Sequence, residues 1–61
     1  MYEIVLEEAY QPEFGRAYYS QTIVKSMISL MDAMMLVPEY NREAKGNQYF
    51  FYREIKGENN G

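Results

Sequence analysis

The sequence predicts a small α+β domain of order β-β-α-β, with one amphipathic helix packed on one face of a three-stranded sheet. Three observations predict it. Segments near the two ends alternate apolar and polar residues, and a long middle segment repeats its apolar residues at helical spacing. Proline and glycine mark the joints between them.

Residues 2–9 set Tyr2, Ile4 and Leu6 on one side and Glu3, Val5 and Glu7 on the other, the period of a half-buried strand. The run Gln11-Pro12-Glu13-Phe14-Gly15 places proline and glycine for a turn. Residues 16–20, with Ala17, Tyr18 and Tyr19, read as a second short strand. It pairs antiparallel with the first, because strands adjacent in sequence usually neighbour in space. Ser20 and Thr22 both suit the N-cap of the next element.

From residue 22 to 36 the apolar positions are Ile23, Val24, Met27, Ile28, Leu30, Met31, Met34 and Met35. At helical spacing they fill an arc of about 160°, opposite Lys25, Ser26, Ser29, Asp32 and Ala33. Leu36 alone falls off the pattern. The methionines read as core, although a small sheet cannot cover so wide an arc and one flank is left for a dimer or a target. Pro38 predicts the helix end at or just before Val37, since the residue preceding a proline resists the α conformation. Residues 39–45 then form a loop or a single helical turn stopped by Gly46. Residues 48–56 alternate again, with Tyr49, Phe51, Arg53 and Ile55 against Phe50, Tyr52, Glu54 and Lys56. Residues 1–56 thus make one compact domain, and residues 57–61 read as a frayed polar tail.

Size sets the next constraint. A chain of 61 residues buries only a small core. It contains no cysteine and no histidine, so neither disulfides nor the usual zinc ligand sets can reinforce it. Association with itself or with another protein is the remaining support. Glu3, Glu7, Glu8 and Glu13 give the first fifteen residues a charge of −4, whereas the rest of the chain nets +1. No basic cluster is present to displace counterions from nucleic acid, so bulk binding to DNA or RNA is disfavoured. Asp32 interrupts the longest apolar stretch, residues 27–37, which falls well short of the ~20 residues a membrane helix needs. The first ten residues carry three glutamates and no basic residue, unlike a secretory signal. A cytoplasmic protein is the expectation.

The usual catalytic chemistry is missing from the residue list. Without histidine or cysteine, only a glutamate or lysine is left to activate Ser20, Ser26 or Ser29, and those serines fit a helix cap and a polar helix face better. Glu7 and Glu8 point to opposite faces of a strand, which spoils them as a shared acid-base or metal site. Gly15, Gly46, Gly57 and Gly61 are too dispersed for a phosphate cradle. No enzyme, no cofactor and no metal site is expected.

A binding role is what remains. One helix needs only one apolar sheet face, yet the last strand offers two, so Phe50 and Tyr52, joined by Tyr18 or Tyr19, are expected to form an exposed aromatic patch (or the reverse set, if the helix takes that face). Glu3 and Glu7 of the acidic first strand complete the candidate partner-binding set. The expected function is a small acidic interaction module, an inhibitor or accessory subunit acting on a larger protein. The analogy is of type, with compact phage and mobile-element proteins that block host enzymes. Two alternatives stand beside it. One is a single-strand nucleic-acid binder that stacks bases on the tyrosines, and the other is a structural homodimer joined through the aromatics or a free strand edge.

Overall fold

The structure, a computed structural model, describes residues 1–56; the expected polar tail, residues 57–61, lies outside them. The elements are β1 (Tyr2–Tyr10), β2 (Tyr18–Ile28), α1 (Leu30–Arg42) and β3 (Gln48–Glu54), so the β-β-α-β order and the α+β class are as expected. They form one sheet of order β2-β1-β3, in which β1 is antiparallel to both neighbours. β2 and β3 are therefore parallel to each other, and α1 is the crossover that carries the chain past β1.

The expected helix of residues 22–36 is not where the structure puts one. Residues 22–28 continue β2, and α1 begins only after Ser29. Thr22, Ile23 and Val24 are consecutive β-branched residues, whose stiff side chains suit a pleated ladder better than a helix. Thr22 and Ile23 pair with Leu6 and Val5 across the hairpin. Neither Ser20 nor Thr22 caps the helix. Ser29 does, its Oγ accepting the Asp32 N–H at 3.0 Å, and the Asp32 carboxylate sits in the first turn, where the helix dipole favours negative charge.

Pro38 does not end the helix either; it lies inside α1, which continues to Arg42. An interior proline costs about 3 kcal/mol through its missing N–H and its clash with the preceding turn. Contacts beyond it hold the last turn in place. The Tyr40 ring stacks on Phe50 with centroids 5.1 Å apart, Asn41 bonds to β3, and Arg42 forms a bidentate ion pair with Glu39 at 2.9 and 3.2 Å.

Starting the helix at residue 30 also changes which residues it buries. Ala33 is fully buried and Leu36, Val37, Tyr40 and Asn41 are half-buried, the i, i+3, i+4, i+7, i+8 stripe of a helix lying on a sheet. Leu36, which fell off the predicted arc, packs inward, and Ala33, placed on the polar side, is the innermost residue of α1. The methionines assigned to the core are exposed instead.

Ile4, Val5 and Ala33 are the only described residues with no apolar surface left to solvent. Ile4 lies on the face that α1 covers, between Lys25 of β2 and Tyr52 of β3. Val5 lies on the far face, where Ile23 and Phe51 flank it. The core is thus one central strand supported on both sides by its neighbours.

Candidate interaction surface

The two outer strands leave different backbone groups open. Ala9 donates its N–H to the Asn47 carbonyl at 2.9 Å and accepts from the Asn47 side-chain amide at 3.1 Å. The odd residues of β1 therefore direct their peptide groups towards β3. Leu6, Glu8 and Tyr10 bond to the other side, opposite Thr22, Ser20 and Tyr18 of β2. It follows that Tyr19, Gln21 and Ile23 turn their N–H and C=O groups away from the sheet. β2 is an outer strand, and nothing among the described residues pairs with that side.

β3 is also an outer strand, and its edge is capped at one residue, Phe50. The Asn41 side chain donates to the Phe50 carbonyl at 3.0 Å and accepts the Phe50 N–H at 2.8 Å. An amide group on α1 thus does what a neighbouring strand would do.

Apolar exposure is concentrated on α1 and β2. Met31, Met34 and Met35 keep 68, 54 and 63 % of their surface exposed. At helical spacing they sit beside Pro38 on the flank and top of α1, turned away from the Ala33–Val37–Tyr40 stripe. Met27 and Leu30 are exposed where the chain turns from β2 into the helix, and Tyr18, Tyr19, Ile23 and Val24 are exposed along β2.

The aromatic patch expected from the sequence is split between two faces. Phe50 and Tyr52 lie on the side covered by α1, where Phe50 is half-buried under Tyr40 and Tyr52 meets Tyr2 edge to face at 6.0 Å. Tyr18 shares that side and stacks on Tyr10 at 5.1 Å. Tyr19 is on the opposite face, together with Tyr49 and Phe51, which stack at 6.0 Å. Tyr49, Phe51 and Tyr19 are therefore the outward aromatic set, the reverse of the Phe50 and Tyr52 assignment.

The acidic residues are largely engaged within the chain. Glu3 accepts from Arg53 at 2.8 Å, and Glu7 accepts from Gln21 at 3.0 Å. Glu8 accepts from Gln48 at 3.0 Å and from Tyr10 at 2.9 Å. These last two bonds stabilise the ionised carboxylate, the one from Gln48 most, and hold the Glu8 pKa below its ordinary value. The same contact with Glu8 raises the Tyr10 phenol.

Among the described residues no three acidic side chains come together to hold a metal ion, and no helix is long and apolar enough to cross a membrane. No protein-family model matches the chain, and no curated protein or solved structure is similar to it. The exposed methionines were hidden from sequence reasoning by the helix frame alone. The Ser29-x-x-Asp32 cap, read as the helix start, would have moved them from the core to the surface.

Proposed function

We propose that this chain is a non-enzymatic, cytoplasmic protein–protein interaction module, an accessory subunit or inhibitor of a larger protein. The observation that carries the reading is the exposed Met31, Met34 and Met35 flank of α1. Flexible, polarisable methionines adapt to the contours of a partner groove, and an apolar helix face seated in such a groove is a common recognition mode. The partner surface is accordingly apolar. The engaged carboxylates of β1 contribute charge at the rim at most.

The test is photo-crosslinking with photo-methionine incorporated in cells of the source organism. The expected result is a single larger protein attached through Met31, Met34 or Met35. Attachment falls at least tenfold, about 1.4 kcal/mol, in a Met34→Glu/Met35→Glu variant whose circular dichroism is unchanged. Crosslinks only between copies of the chain, or capture that survives the double substitution, would overturn it.

A further inference from the structure

We infer that the free edge of β2 binds a second copy of this chain, pairing antiparallel with the same edge of the partner copy to make one continuous sheet. This goes beyond the helix-mediated role proposed above and uses a different surface.

Three observations carry it. Tyr19, Gln21 and Ile23 direct unpaired N–H and C=O groups outward from an outer strand. An open row of this kind is a template for another strand, and proteins usually blunt it with charge, proline or irregularity. Residues 17–24 contain no charge, no proline and no glycine, and Thr22, Ile23 and Val24 in sequence add high strand propensity. The irregularity is confined to the far end, where the register shifts between Ile23 and Lys25 and Met27 adopts a φ of 59°. The regular part, residues 18–23, is left open.

The occupant follows from the sequence of that part. An antiparallel register centred on Gln21 sets each outward-directed residue against another: Tyr19 against the partner's Ile23, and Gln21 against the partner's Gln21. Tyr19 and Ile23, 68 and 52 % exposed, then form an aromatic–β-branched pair twice over. On the helix side Ser20 meets the partner's Thr22, also twice. Charge fits the same register. Lys25 falls opposite the partner's Ala17, so the two Lys25 ammonium groups stand about 27 Å apart along the strands, several Debye lengths at physiological salt. A parallel, in-register pairing would instead bring them side by side. The segment is self-complementary in shape, hydrogen bonding and charge. The two-fold axis passes between the two Gln21 residues, perpendicular to the sheet, and leaves both helices on one face.

The experiment is sedimentation equilibrium of the wild-type chain and of Thr22→Lys, combined with amide hydrogen exchange at two concentrations. Thr22 is exposed, and the substitution sets two ammonium groups on one face beside the two-fold axis. The expected mass is twice 7.3 kDa, with the dimer weakened at least tenfold in Thr22→Lys. The Tyr19, Gln21 and Ile23 amides become protected as concentration rises. Should Thr22→Lys not fold, the exchange pattern of the wild type decides alone. A monomer of 7.3 kDa at every concentration overturns the inference. So does a dimer in which those three amides exchange freely, or one dissociated by Met34→Glu/Met35→Glu but not by Thr22→Lys. The first two of these outcomes leave capture of a larger protein through α1 untouched, and the third alone would turn the methionine flank into a contact between copies.

Discussion

β3 and β2 flank the same central strand, yet the chain treats them differently. β3 is seven residues long, packs under α1 and has its Phe50 peptide groups capped by Asn41. β2 is eleven residues long, and nine of its side chains are exposed. The difference lies in where each strand stands relative to the helix. β3 is reached from α1 through Gly46 and Asn47 and lies where the helix can cover it, and Asn41 is spaced one turn beyond Val37 to reach its edge. β2 ends at the corner where α1 begins and receives no such cover. One strand is capped at Phe50 by its own chain, and the other is left open among the described residues.

The largest expected effect comes from removing what the two strands share. Ile4→Ala should cost about 2–4 kcal/mol, the loss of a buried side chain plus the cavity it leaves. That is a large fraction of the stability of so small a domain. Denaturant titration should show both strands melting together; loss of less than about 1 kcal/mol would mean that Ile4 is not the common support. A smaller effect should separate the strands. Asn41→Ala leaves the Phe50 N–H and C=O to water and should cost about 1–2 kcal/mol. By hydrogen exchange the Phe50 amide should lose protection while the amides of β2 are unchanged, and an unaltered Phe50 amide would count against the cap.

The smallest effect is the link between the two strands at their other end. Glu8 accepts from Gln48 of β3 and from Tyr10, which in turn stacks on Tyr18 of β2. Its folded pKa lies below the unfolded value, so its contribution is present above the ordinary carboxylate range and is lost as pH falls through the folded pKa. Tyr10 titrates with the opposite sense. Its raised pKa makes its contribution complete below the ordinary phenol range and lost as pH rises through the folded value. In denaturation measured across pH, wild type should exceed Glu8→Gln at neutral pH and converge with it in acid. A constant gap down to strongly acidic pH would remove Glu8 from the account.

The same contrast explains what was legible in the sequence. β1 and β3 declare themselves because their alternation is set by local burial on two faces of a sheet, so element order and class emerge from the residues. The junction of β2 and α1 does not. Ile23, Val24, Met27 and Ile28 satisfy a helical spacing by accident, and the β-branched run of residues 22–24 together with pairing of Ile23 and Ile28 to β1 places them in a strand. Pro38 misleads for a related reason, since tertiary contacts from Tyr40 and Asn41 to Phe50 outweigh a local penalty. The candidate aromatic set divided for want of one fact, the face that α1 takes, and that depends on the crossover rather than on any short stretch of sequence. Glu3 and Glu7 were legible as surface charge but not as partners of Arg53 and Gln21, which lie 50 and 14 residues away.

The Asn41 cap has a consequence for how far any sheet built from this chain can grow. A protein with two open edges is divalent, and each added strand exposes a new attachment point, the arithmetic that leads to fibres. With the Phe50 peptide groups engaged by the chain's own helix, the β3 edge of the described residues is less open there than the β2 edge. A strand added at β2 would then meet, at the far side of the sheet, an edge whose Phe50 position is already taken.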